Sequence, residues 1–279
     1  MKSRIVVISW WSNCLALACL SRIRKYAPER ELYVLQVGKS PEQKKRFRAY
    51  LPAGIVEIFY PEEAPGEHCR VLKELVLHQL ASLEGLWFFD HDFFLRASLE
   101  PWLHTADTLF EETQVCLGLP VLDPAGPAIT GPAFWISPRR WPPHLDSFDP
   151  VPFHPRPEAR RPDVFRGKGE MRMPVKDTLV QARDELALQG KVTYFPLDEK
   201  SLHESGNAFK LPVMPAYTHL GGLYLFNGPV LPPEWTGWMR STVQRFGEFY
   251  ASCPAEWKAG EDPMLLGRLA EFREALNKL

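Results

Sequence analysis

Over its first 119 residues the chain alternates short β-branched or aromatic runs with longer stretches of helical spacing, and few architectures accept that alternation. "RIVVISW" (4–10) reads as a buried strand. "NCLALACLSRIRKYAP" (13–28) reads as a helix, with Asn13 at its N-cap and Pro28 at its stop. "ELYVLQVG" (31–38) is a second strand, and "SPEQKKRFRAYLP" (40–52) a helix opened by Ser40 and Pro41. "IVEIFY" (55–60), a long amphipathic helix over 66–84 and "GLWFF" (85–89) complete the half. Such spacing predicts βαβ units and a mostly parallel sheet. Ligands of these sheets bind beyond the carboxyl ends of the strands. Trp10, Trp11, Ser12 and Asn13 follow the first strand, Tyr60 ends the third, and Asp90 and Asp92 follow the fourth. Three segments are thus expected to converge on one crevice.

The rest of the chain differs. Residues 120–174 hold 13 of the 27 prolines, and nine Lys or Arg face five acids between Pro138 and Lys176. This predicts a long, irregular, locally basic excursion, containing one strand at 132–137. A helix over 177–190, a strand over 191–197 and the segment "AYTHLGGLY" (216–224) follow. The last 45 or so residues read as helical. The expected organisation is one domain over 1–279: an alternating half (1–119), an irregular half (120–230) and a helical C-terminal extension (231–279).

Composition narrows the function classes. The net charge is −1, so no global basic field points to nucleic acid or an anionic membrane. No run approaches the roughly 18 apolar residues of a membrane span. Five scattered cysteines without a CxxC pair fit a reducing compartment, and a cytoplasmic location is expected.

The "DHD" triplet interrupts the most apolar run of the chain, "GLWFFDHDFFL" (85–95). A carboxylate beside a core is costly unless something positive meets it. Eleven aspartates predict roughly 0.4 such triplets by chance, so position gives this one its weight. If the chain stays extended, Asp90 and Asp92 share one side and His91 faces the other. Two carboxylates on one side suit Mg²⁺ or Mn²⁺ shared with phosphates.

In this pattern the sequence resembles the GT-A glycosyltransferases, whose D-x-D motif follows the fourth strand as "WFFDHD" does here. The resemblance covers about residues 4–119 and several later landmarks. It implies a Rossmann-related α/β fold and transfer of a sugar from a nucleotide-sugar donor to a small-molecule or glycan acceptor. It also implies Asp90 near the ribose and the metal, Asp92 on the metal, and His219 as a third metal ligand. Arg70 and Lys73 fall in the helix whose basic residue reaches the nucleotide, and Trp10 and Asn13 lie at the same nucleotide edge. Asp177 resembles the catalytic base of inverting members, although Lys176 stands where an acid often precedes it. A related nucleotidyltransferase and an inactive binding module are the alternatives. "SWWSN" lacks the glycines a nucleotidyltransferase loop would carry.

Overall fold

The computed structural model describes residues 3–9, 12–37, 39–59, 68–91, 93–95, 103, 107, 114–118, 133–145, 180–194, 217–219, 244, 247–261 and 263–277. The first half follows the expected alternation: β1 (Arg4–Ser9), α1 (Asn13–Tyr26), β2 (Leu32–Gln36), α2 (Pro41–Ala49), β3 (Ile55–Phe59), α3 (His68–Glu74) and β4 (Leu86–Asp90). The later elements are β5 (Phe93–Leu95), β6 (Cys116–Gly118), β7 (Ala133–Ile136), α4 (Val180–Leu188), β8 (Val192–Tyr194), β9 (Tyr217–His219), α5 (Ala255–Lys258) and α6 (Pro263–Asn277).

Seven strands form one sheet in the order β3-β2-β1-β4-β7-β6-β8. Only β7 runs antiparallel to its neighbours. The fold is therefore α/β with a mostly parallel sheet, as the alternation predicts. The sheet joins strands from the first 119 residues to strands beyond them.

The central strands are apolar on both faces because helices cover both. Ile5 and Val7 of β1 and Trp87 and Phe89 of β4 pack with Leu17, Leu20 and Ile23 of α1. Val6, Ile8, Leu86 and Phe88 face the other way, onto Val71, Leu72, Leu75 and Val76. Phe88 stacks on its cross-strand partner Phe134 with ring centroids 5.0 Å apart.

Three local expectations change. Ser12, not Asn13, caps α1: its Oγ accepts from the Leu15 amide at 3.1 Å. Asn13 is already helical, so it lies one position too late to cap. The helix expected over 66–84 widens at Leu75 into a π-helical turn (Leu75–Gln79), where the Leu80 amide donates to the Leu75 carbonyl at 2.8 Å. The chain also turns at His91 instead of staying extended, because β4 ends at Asp90. The cap of α2 is as expected: Ser40 and Gln43 form a reciprocal capping box with Pro41 in the first turn.

A buried polar knot fixes the amino ends of the strands. Arg30 Nη1 donates to Asp107 Oδ2 at 2.6 Å and to the Ser3 carbonyl at 3.2 Å. Ser3 Oγ donates to Asp107 Oδ1 at 2.6 Å and accepts from Trp135 Nε1 at 3.0 Å. Asp107→Ala leaves a fully buried guanidinium without its counter-charge and should cost about 3–5 kcal/mol in urea unfolding. A Cβ on Gly85 would lie 2.7 Å from both Ser3 Oγ and Trp135 Nε1. Gly85→Ala should therefore lose about 1–3 kcal/mol in the same assay.

Candidate functional site

The strand order sets the place. From β1 the chain steps outward to β2 and β3, then returns to β4 on the other side of β1. Such a reversal, here beyond the carboxyl ends of β1 and β4, is where open α/β sheets take their ligands. Ile8 pairs with Asp90, so the last residue of β4 stands beside the end of β1. Asp90 is half-buried and His91 is 3% exposed, which directs the aspartate toward the edge and packs the histidine inward. Cys19 Sγ of α1 donates to the Asp90 carbonyl at 3.7 Å and ties this corner to the helix.

A second piece of sheet meets the same corner. β5 and β9 pair antiparallel, with Phe93 opposite His219 and Leu95 opposite Tyr217. The residue after Asp92 is thus held across from His219, though they are more than a hundred positions apart in sequence. Directly opposed residues of an antiparallel pair have Cα atoms about 4.5–5.5 Å apart. β5 also lies against α1. Backbone pairing therefore brings two of the expected metal-binding segments together.

The amino end of α1 is already engaged. Glu261, from the far end of the chain, lays its carboxylate on it. Oε1 accepts from the Asn13 amide at 2.9 Å, and Oε2 accepts from Ser12 Oγ at 2.7 Å and from the Cys14 amide at 3.2 Å. Asn13 Nδ2 donates to the Gly260 carbonyl at 2.9 Å and the Gln43 carbonyl at 3.3 Å. Asn13 thus uses its amide nitrogens to fasten the C-terminal segment, while its Oδ1 has no partner among the described residues. Arg46 of α2 holds the Ala259 carbonyl of the same segment. Burial pushes the Tyr250 hydroxyl beside this cluster up to about 12, with Cys14, Glu261 and Cys253 adding to the effect.

Next to β1 the edge holds further buried polar groups. Ser9 pairs with Gln36, both are fully buried, and Ser9 Oγ and Gln36 Oε1 have no partner among the described residues. Lys39, just past β2, is 1% exposed. On the other flank Lys73 is half-buried on α3 with Arg70 one turn earlier. Trp10, Asp92 and Asp177 lie outside the described residues, as do the side chains of Arg70 and His219. No cluster of three metal-binding side chains occurs among the described residues.

Sequence reasoning missed Glu261 and the β5–β9 pair. Glu261 sits in "AGEDP", far from α1 in sequence, and carries no local sign of its partner. β5 is three residues long, too short to give a periodic signal.

No protein-family model matches the chain, and no curated protein matches it. Solved structures resemble it. The galactosyltransferase LgtC, in complex with donor and acceptor sugar analogues, is 17% identical with a TM-score of 0.48, covering 92% of this chain and 99% of LgtC. The mannosyltransferase PcManGT from Pyrobaculum calidifontis, with GDP-Man and Mn²⁺, is 12% identical with a TM-score of 0.46, covering 99% of this chain and 74% of its own. A nucleotide-diphospho-sugar transferase described from Desulfovibrio desulfuricans G20 is 11% identical with a TM-score of 0.41, covering 70% and 80%. The match to the bifunctional glycosyltransferase WbbM spans only 32% of that chain.

Removing the Glu261 carboxylate strips three donors of their acceptor at the positive end of a helix. Glu261→Ala should cost about 1–3 kcal/mol in denaturant unfolding. Glu261→Gln, which keeps an acceptor and loses the charge, should cost less.

Proposed function

We propose that the chain is a metal-dependent glycosyltransferase, moving a sugar from a nucleotide-sugar donor to a small-molecule or glycan acceptor. The observation that carries this reading is the meeting of Asp90, at the end of β4, with the β5–β9 pair that sets His219 opposite Phe93. Two carboxylates and an imidazole are a donor set for Mn²⁺ or Mg²⁺. In this reading Asp90, Asp92 and His219 hold the cation, and Asp90 also reaches the ribose.

The occupied end of α1 supports the same conclusion. A helix N-terminus is a ready anion site, and dinucleotide-binding sheets place a pyrophosphate there. Here Glu261 fills it, and a diphosphate alongside would add like charge. In this reading the donor's phosphates meet positive charge from a cation held at the β4 corner. The same point weighs against the nucleotidyltransferase alternative, which needs that end of α1 for phosphate.

Asp90, Asp92 and His219 would hold the divalent cation, which would supply positive charge for a nucleoside diphosphate leaving group. The chain's own residues do the rest. Lys73 and Arg70 reach the nucleotide from α3. Trp10 stacks on the base, and Asn13 sets the loop after β1. Asp177 takes the proton of the acceptor hydroxyl as the glycosidic bond forms. The Pro-rich basic segment lies on the acceptor side. Among the described residues no helix is long and apolar enough to cross a membrane, and the cytoplasmic location belongs to this reading.

Calorimetric titration of UDP and GDP tests the proposal, with and without Mn²⁺. One nucleotide should bind in a Mn²⁺-dependent way. Asp92→Ala should abolish that binding, and His219→Ala should weaken it about tenfold or more. Binding that ignores both the metal and the Asp92 substitution would overturn the metal role. Absence of binding by any nucleoside diphosphate would point to a binding module that kept the fold without the chemistry.

A further inference from the structure

Glu261 is remote from the β4 corner, yet its hydrogen bonds reach toward it through α1. The segment that carries it is built to stay in place. The Gly260 amide donates to the Trp257 carbonyl and the Glu261 amide to the Lys258 carbonyl, each at 3.1 Å. Trp257 of α5 packs against the core cluster that holds α1. Gly260 passes so close to its neighbours that an added Cβ would lie 3.2 Å from Arg46 Cβ and 3.4 Å from Asn13 Nδ2. The segment is thus wedged between α1 and α2, and Glu261, buried, meets the first turn of α1. Both carboxylate oxygens accept there, from the Asn13 amide on one side and from Ser12 Oγ and the Cys14 amide on the other.

The helix carries this hold to two places. Ser12 and Asn13 follow β1, which ends at Ser9, so fixing them fixes the return of the chain from the sheet's carboxyl edge. Further along the same helix, Cys19 Sγ donates to the Asp90 carbonyl at 3.7 Å, and β5 lies against α1. From Asn13 to Cys19 the helix rises only about 9 Å, a length over which it moves as one body. A shift of its amino end therefore shifts its contact with Asp90 as well. The carboxylate is needed for this hold, because hydrogen bonds to a charged acceptor are stronger than neutral ones. Glutamine cannot replace it in full. Its amide nitrogen is a donor and would confront the N–H of either Asn13 or Cys14.

We propose that Glu261 is a positioning residue for the donor nucleotide: by fixing the amino end of α1 it holds the chain after β1 and the Asp90 corner in the one arrangement that binds a nucleoside diphosphate. This inference rests on the reading of the site as that of a nucleotide-sugar transferase. Glu261 itself touches no ligand and moves no proton. It acts through α1, the rigid element that both places share. Without the charge, α1 samples positions in which the two places no longer fit one nucleotide. The apparent affinity then falls in proportion to the time spent out of the fitting position. Such coupling is reciprocal, so a bound nucleotide must in turn hold the C-terminal segment on α1.

The test titrates UDP and GDP in Mn²⁺ into the full chain, at a temperature where circular dichroism shows every variant folded. The dissociation constant of the nucleotide that binds wild type should rise about tenfold in Glu261→Gln. Arg46→Ala, which frees the Ala259 carbonyl and leaves Glu261 charged, should raise it in the same direction by about threefold. Gly85→Ala, strained at the opposite ends of the strands, controls for lost stability and should leave it unchanged. Amide exchange read by mass spectrometry should slow across residues 255–261 when the nucleotide saturates wild type, and slow less when it saturates Glu261→Gln. Equal affinity in wild type and Glu261→Gln, an equal loss in Gly85→Ala, or exchange across 255–261 that ignores the nucleotide would each overturn the positioning role and leave the transferase reading standing. A wild type that binds neither nucleotide would remove that reading and the positioning role with it.

Discussion

The burial of β1 and β4 on both faces is the constraint from which the rest of the structure follows. Both strands are apolar at successive positions, so neither face can meet water. Helices must cover both sides, and the connections between parallel strands must cross over. Those crossovers carry the chain outward through β2 and β3 and back to β4, which puts the reversal of strand order between β1 and β4. Asp90 is polar because it is the first residue beyond the covered part of its strand. The position of Asp90 at the carboxyl edge is thus a consequence of packing.

The two ends of the sheet are stabilised differently. At the amino ends Arg30, Asp107, Ser3 and Trp135 close a fully hydrogen-bonded network with no room for an added methyl at Gly85. At the carboxyl ends Ser9 Oγ and Gln36 Oε1 are buried without partners among the described residues. A satisfied polar network rigidifies, whereas an unsatisfied one costs free energy. The sheet is pinned at one end and keeps polar capacity at the end where ligands of such folds bind.

Glu261 links the C-terminal segment to this arrangement. Its carboxylate completes the orphan donors of α1, and by doing so it removes a phosphate site that such a fold would otherwise offer. A carboxylate at a helix N-terminus is favourable by itself. Asn13 shows the same division of labour, since its amide nitrogens serve the C-terminal segment before any nucleotide.

Much of the first half was legible in the sequence because its signals are local. Periodicity gave the strands and helices to within a few residues, and the Ser40–Gln43 box was readable from four letters. The D-x-D triplet could be placed at a strand end for the same reason. What sequence could not supply was any feature made by residues distant along the chain. The pairing of Phe93 with His219 and the seat of Glu261 on α1 depend on how separate elements pack. The shift of the α1 cap by one residue and the π-helical turn at Leu75 are smaller cases, where a hydrogen-bond choice of about 1 kcal/mol decides between neighbouring registers. The sequence by itself determined the α/β class and the strand end that carries Asp90, because hydrophobic spacing fixes which faces are buried. The tertiary structure alone decided which distant groups meet at that edge, because only the folded chain sets one segment's donors against another's acceptors.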